Sequence, residues 1–208
     1  MRTGRAPRRR SSSGRALLLT AVTAVGALTL TACTDSDGKP SGSNGGNYVT
    51  GPSGIATVAK GERAQAPKLD GETVDGESLD TTALKGKVVV LNVWGSWCPP
   101  CRAEAKYFAQ VSKELADAGK PVAFVGINTR DNSKQNAAAF EDNFGITYPS
   151  LYDPDGKLML RFPAGTLNAQ AIPSTIVLDK EGRIAARTLA PVNDAQLRSM
   201  IDPLLAEQ

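Results

Sequence analysis

Lys87-Val-Val-Val-Leu-Asn-Val-Trp94 runs directly into Gly95-Ser-Trp-Cys-Pro-Pro-Cys101, and this stretch decides the fold. Its first part is a β-branched apolar run, the pattern of a central strand buried on both faces. Pro99 and Pro100 then open a helical pattern. Ala105, Phe108, Val111 and Leu115 recur at spacings of three and four until Gly119 and Pro121 stop it. Val122-Ala-Phe-Val-Gly-Ile127 is a second buried strand. Strand, helix, strand predicts a parallel βαβ unit. Farther on, Gln135 to Phe144 reads as a helix ended at Gly145, and Leu158 to Phe162 as a short one. Ser174 to Leu178 and Arg183 to Ala186 flank Asp179-Lys-Glu-Gly182, a hairpin turn with Gly where positive φ is needed. Asn193 caps a last amphipathic helix carrying Leu197, Ile201, Leu204 and Leu205. The expected class is α/β: a mixed central sheet with helices on both faces, over residues 65–208. A domain of that size builds a core without disulfide staples.

Upstream, the composition changes twice. Residues 1–16 hold six Arg and no acid, and residues 17–32 hold no charge. A positive region followed by an uncharged apolar stretch is the pattern of a secretory signal, here 1–32. The apolar stretch, Ala16 to Ala32, is short of the ~20 residues of a membrane span, although a retained signal anchor is the alternative. Leu30-Thr-Ala-Cys33 resembles a bacterial lipobox, which implies lipidation at Cys33 and a chain held at the outer face of the cytoplasmic membrane. The competing reading is an incidental thiol beside an ordinary cleavage site. Arg8-Arg9-Arg10 is a weak twin-arginine signal. Residues 33–64 are rich in Gly, Ser, Thr and Asp, too polar to offset chain entropy, and read as a flexible tether. Tyr48-Val49 and Ile55 to Val58 are candidates for a short strand against the domain.

The chain's 24 Lys and Arg against 21 Asp and Glu are misleading as a total, because the leader carries the basic excess. The body is net acidic and has no electrostatic footprint for nucleic acid. The absence of His excludes His-based triads, proton shuttles and His-containing zinc sites. Three Cys cannot supply a four-Cys zinc site either.

The chemistry concentrates at Cys98-Pro-Pro-Cys101, where strand gives way to helix. A C-x-x-C beside a βαβ pattern reads as a redox dithiol. With Cys98 at the N-cap, its sulfur faces the positive end of the helix, which favours a thiolate. Cys101 is then the third helical residue, one turn along and pointing inward. Cys98 becomes the attacking sulfur and Cys101 the resolving one. A structural disulfide here closes too short a loop to restrain much chain; a pair of inert buried thiols is the other bland reading. Pro99 and Pro100 carry no N–H, so Cys98 has mainly the N–H groups of Cys101 and Arg102 to stabilise its charge. Strong oxidants need a heavily stabilised thiolate, so the site leans toward a reductant. Glu104, three residues after Cys101, lies on the same helix face. It reads equally as an acid coupled to the thiols and as a solvated first-turn residue. Pro173, in Ala171-Ile-Pro-Ser-Thr175, opens the late strand or bends the chain. X–Pro bonds are cis in only ~5–6% of cases, so the residues alone favour trans.

Together these residues resemble the thioredoxin superfamily, and within it the membrane-tethered TlpA/ResA-like thiol–disulfide oxidoreductases. The resemblance covers about Pro67 to Gln208. It rests mainly on Lys85 to Glu104, with Ile172-Pro-Ser-Thr175 matching the family's cis-Pro loop. It implies an extra central helix and strand between Cys101 and Pro173, a cis bond before Pro173 beside Cys98, and backbone pairing of a substrate chain at Ile172. It also places Glu104 at the family's functional acid. The implied role is reduction of protein disulfides outside the cytoplasm, with the haem-attachment cysteines of apocytochrome c as lead substrate. Electrons would come from a membrane thiol carrier. The central dipeptide Pro-Pro departs from that of several members, which leaves the direction of electron flow open.

The expected mechanism is thiol–disulfide exchange. Cys98 attacks a substrate disulfide, Cys101 resolves the mixed disulfide, and no cofactor is needed. Trp97, Pro99 and Pro173 would give a shallow apolar surface for substrate, next to Ile172. The same dithiol run backwards is an oxidase for exported proteins. A peroxiredoxin is excluded, because Gly95 and Leu91 stand where that family needs Thr and Pro. A haem- or metal-binding lipoprotein lacks ligands, with no His and 3 Met. A purely structural lipoprotein leaves the dithiol and Pro173 unexplained. The default assembly is a monomer.

Overall fold

The computed structural model describes residues 47–207. The expected leader 1–32, lipidation at Cys33 and the first part of the tether lie outside the described residues.

The central element is β5 (Val88–Trp94), buried along its whole length as its apolar run requires. It pairs in parallel with β6 (Val122–Thr129), and β6 in parallel with β7 (Ser150–Asp153). On its other side it pairs antiparallel with β8 (Ser174–Leu178), which pairs with β9 (Ile184–Thr188) through the hairpin turn at Gly182 (φ 79°). Two short strands, β1 (Val49–Thr50) and β2 (Ala56–Thr57), extend the sheet beyond β9, giving the order β1-β2-β9-β8-β5-β6-β7. A separate hairpin of β3 (Asp70–Glu72) and β4 (Ser78–Asp80) leans on the far edge. There Thr73 bridges Leu151, and the Val74 N–H donates to the Ser150 carbonyl at 2.8 Å.

Helix α1 (Pro99–Asp117) and helix α3 (Asp194–Ala206) cover one side of the sheet. Phe108, Val111, Leu197 and Ile201 are buried there against Val88, Val90 and Val177. Helix α2 (Lys134–Phe144) packs beside α1, where Phe140 stacks on Trp94 with ring centroids 4.4 Å apart. The opposite side carries two short 3₁₀ helices, Thr81–Leu84 and Met159–Arg161, with Leu69, Leu158 and Phe162 completing its core. The mixed sheet, the helices and the α2–β7 insertion agree with the expected α/β class.

The tether expected over 33–64 is corrected in its described part. Ile55, Ala56 and Val58 are buried, and β2 is hydrogen-bonded to β9. The Arg63 guanidinium pairs with Asp179 at 3.1 Å and with Glu207 at 2.6 Å. The candidate strand stretches at Tyr48-Val49 and Ile55 to Val58 supply β1 and β2, whereas the polar composition of the segment as a whole hid the docking, because a few apolar side chains and one buried cation suffice to dock it. Ordered structure therefore begins well before residue 65.

Candidate active site

The site forms where β5 passes into α1. Cys98 is the N-cap and Pro99 and Pro100 are the first two helical residues, positions that have no intrahelical donor to lose. Cys98 and Cys101 are joined, with Sγ–Sγ 2.07 Å and Cα–Cα 5.3 Å. The Cys101 N–H points at Cys98 Sγ from 3.2 Å. The Arg102 N–H, expected to be a second donor to that sulfur, instead bonds the Cys98 carbonyl at 3.1 Å, because it closes the first turn of the helix. Both cysteines are buried against Trp94, Ala105, Ala137 and Phe140, so exposure does not distinguish the attacking from the resolving sulfur.

The Ile172–Pro173 peptide is cis, the form that the family resemblance implies. The Ile172 carbonyl lies 3.9 Å from Cys98 Sγ. Trp97 is half exposed, Pro99 is exposed and Ile172 is half-buried. Pro173, expected on the same surface, is buried. It leads straight into β8, a strand paired on both sides, so its ring sits inside the fold.

Glu104 is buried, one turn along α1 from Cys101. Its carboxylate accepts from Asn92 Nδ2 on β5 and from the Val192 N–H before α3, both at 2.9 Å. Burial outweighs these two hydrogen bonds and pushes its pKa from 4.5 up to about 7. The solvated first-turn reading of Glu104 therefore falls. A carboxyl that titrates near neutrality can hold or release a proton during exchange.

Three neighbours were not foreseen. Asp131, just past β6, is buried and accepts from the Ser96 N–H at 2.9 Å, from the Ser96 hydroxyl, and from Asn128 Nδ2 at 2.5 Å. It fixes the loop between β5 and Cys98. Arg130 lies over the Trp97 ring at 5.1 Å. Asn92 reads as one more residue of an apolar run until Glu104 is placed above it. Apart from Asn128–Asp131, three residues apart, these pairings span 12 to 35 residues of sequence, and no local pattern announces them. Gly95 is required by close packing: a Cβ there would meet Trp97 Nε1 at 2.7 Å and the Thr129 carbonyl at 3.1 Å. Among the described residues no group of three or more His, Cys, Asp or Glu could hold a metal ion.

Comparison with known proteins agrees with this geometry. The redoxin family model matches residues 59–201. The chain is 32% identical over 155 residues to the thiol:disulfide interchange protein DsbE of Yersinia pestis, covering 74% of this chain and 76% of that one. A crystal structure of a DsbF homologue from Corynebacterium diphtheriae superimposes with TM-score 0.67 at 40% identity, over 75% of this chain and 96% of that one. That of a secreted thiol-disulfide isomerase from Corynebacterium glutamicum does so with TM-score 0.69 at 35% identity, over 76% and 97%.

Proposed function

This chain belongs to the redoxin family and is a thiol–disulfide oxidoreductase of the DsbE and ResA kind with a thioredoxin fold, and on that premise we propose that it works outside the cytoplasm as a reductant of protein disulfides. The observation that carries the direction is the N-cap. A Cys98 thiolate has one main-chain donor, the Cys101 N–H at 3.2 Å, because Pro99 and Pro100 have none and Arg102 is engaged elsewhere. A weakly stabilised thiolate makes the reduced form a stronger donor of electrons.

In the forward reaction the Cys98 thiolate attacks a substrate disulfide, forming the Cys98–substrate bond and expelling one substrate thiolate. Cys101 then attacks Cys98 Sγ. The mixed disulfide breaks, the second substrate thiolate leaves, and the Cys98–Cys101 bond forms. The Cys101 proton passes to the Glu104 carboxylate. Two electrons have moved to the substrate, and a thiol carrier in the membrane returns the pair to the dithiol form. Trp97, Pro99 and the Ile172 backbone border the substrate's path, and Pro173 shapes the loop from beneath. The redox group is the cysteine pair itself, with no bound cofactor.

The lead substrate is the paired haem-attachment cysteines of an apocytochrome c. The leader-like segment and Cys33 support a chain held by lipid at the outer face of the membrane, with a monomer as the default assembly; among the described residues no helix is long and apolar enough to cross it. The deciding experiment is equilibration of the Cys98–Cys101 couple with thiol buffers. A potential near or below ~−270 mV supports the reductant; one toward ~−120 mV makes the protein a disulfide-forming oxidase and removes the cytochrome assignment. Cys33→Ser is expected to release the protein from the membrane fraction.

A further inference from the structure

Arg130 follows the last residue of β6, and its guanidinium is treated unlike the others. Arg63, Arg161, Arg183 and Arg198 each pair with a carboxylate. Arg102 gives Nη1 to the Ser96 carbonyl at 3.3 Å, and Arg187 gives Nη1 to the Thr166 carbonyl at 2.7 Å. Among the described residues only the Arg130 guanidinium has no acceptor in the protein. Its Nε and Nη2 are buried without a partner, which leaves Nη1 as the nitrogen that meets solvent. The next residue, Asp131, supplies no acceptor, because its carboxylate is taken by Ser96 and Asn128. The Arg130 backbone has φ 56°, in the left-handed region that residues with a Cβ seldom enter.

What holds the cation is Trp97. Arg130 Cζ lies 5.1 Å from the centroid of that ring, within cation–π range. The indole folds back over the β5–α1 loop, where its Nε1 would meet a Cβ on Gly95 at 2.7 Å. Trp97 is still half exposed, and it is the residue before the attacking Cys98. A half-buried cation with no counter-charge is therefore fixed at the edge of the substrate's path. Arg102, exposed at the same loop and likewise without a carboxylate, adds a second positive charge. Glu104 and Asp131, the carboxylates of the site, are buried and turned inward to donors of the fold. Such a guanidinium is completed by an acceptor that arrives from outside. A carboxylate is the group its planar fork matches best, through charge-assisted hydrogen bonds.

We propose that Arg130 is a specificity residue that takes a carboxylate of the substrate chain, so that the protein prefers disulfides with Asp or Glu close to the attacked cysteine. This deepens the function proposed for Cys98 and rests on protein disulfides as its substrates. The carboxylate binds at Nη1, and the Trp97 ring keeps that nitrogen in place. Trp97 and Cys98 are chain neighbours, and an extended substrate advances about 3.5 Å per residue. The acid is accordingly placed within about three residues of the cysteine that bonds Cys98 Sγ. No atom of Arg130 takes part in the exchange itself; its effect is on the encounter and the first attack.

The test is stopped-flow oxidation of the reduced full-length protein by short peptides closed by one disulfide, identical except for Glu, Gln or Lys within about three residues of a cysteine. Each rate is divided by that of dithiothreitol with the same peptide, which removes the peptide's own reactivity. The parent is expected to prefer Glu to Gln about fivefold at low ionic strength, the upper end for a partly exposed ion pair, and less than about twofold at high salt. Arg130→Gln is expected to bring the ratio to about one, Arg130→Lys to keep part of the preference, and Arg130→Glu to favour the Lys peptide. A residue that only supports the loop would slow all three peptides alike and leave the ratios in place. Arg102→Gln is expected to keep the preference; if this variant abolishes it, the assignment to Arg130 is overturned. A parent ratio of about one, or a parent ratio retained in Arg130→Gln and Arg130→Glu, overturns it as well. If the oxidised protein instead oxidises the dithiol forms of these peptides, the reductant assignment fails, while the same ratios taken on those forms still decide the role of Arg130.

Discussion

Glu104 of α1 and Asn92 of β5 face each other at 2.9 Å in the buried layer beneath the disulfide. The contact joins the helix that carries both cysteines to the central strand, and the Val192 N–H ties the same carboxylate to the segment leading into α3. A carboxyl held this way is geometrically fixed but poorly solvated, which is the condition for a proton carrier at neutral pH.

The cost of that arrangement has a pH signature. The Glu104 carboxyl titrates near 7 in the fold against 4.5 in the unfolded chain. Between those values the folded protein holds a proton that the unfolded chain has lost, so stability falls as pH rises through the window and levels above it. Glu104→Gln removes the titration. Its amide can still accept from Val192 and, with Asn92 turned over, donate to it. The variant's stability advantage over the parent is expected to be near zero at pH 4 and to grow toward roughly 3 kcal/mol by pH 8. Parallel melting curves across that range would disprove the raised acid. Resolution of the mixed disulfide should at the same time slow by roughly 10²-fold.

Pro100→Ala restores an N–H at the second helical position, one of the two from which an N-cap side chain normally accepts. The added hydrogen bond to Cys98 stabilises the thiolate by roughly 1–1.5 kcal/mol. The thiol pKa is expected to fall and the reduction potential to rise by about 30 mV. Thiolate absorbance and thiol-buffer equilibration measure the two independently. A change in one without the other would break the link between helix N-terminus and potential.

Asp131 is the sole side-chain acceptor seen for both donors of Ser96, and it also takes Asn128 Nδ2. Asp131→Ala leaves these groups without an acceptor beneath the active-site loop. A loss of about 2–3 kcal/mol is expected in urea unfolding at pH 7, with a red shift of Trp97 emission as the loop loosens. An unchanged midpoint would mean that water replaces the carboxylate at no cost.

The parts legible in the sequence were those with a local signature. The run into Trp94 is β5, the spacing from Ala105 to Leu115 is the buried face of α1, and Ser174 to Leu178 is β8. The N-cap role of Cys98 followed from the two prolines. What was illegible depends on tertiary partners. Strands β3 and β4 are three residues each and mostly polar, so no alternation marks them, although Asp75-Gly76 between them is a turn signal (Gly76 φ 91°). Pro173 was placed on the surface because its burial depends on β8 being flanked on both sides. The burial of Glu104 is set by Asn92, 12 residues upstream, and by Val192, 88 residues downstream.

The docking of residues before β5 on both margins of the sheet has a consequence for how this protein meets other chains. Unsatisfied strand margins recruit extended polypeptide, and natural sheets blunt them with very short outer strands or covering segments. Here β2 takes up β9, leaving two-residue β1 outermost, while Thr73 and Val74 occupy part of β7. A chain truncated to begin at Pro67 would uncover β9 and invite strand exchange between copies. The residues docked before β5 close that route to aggregation.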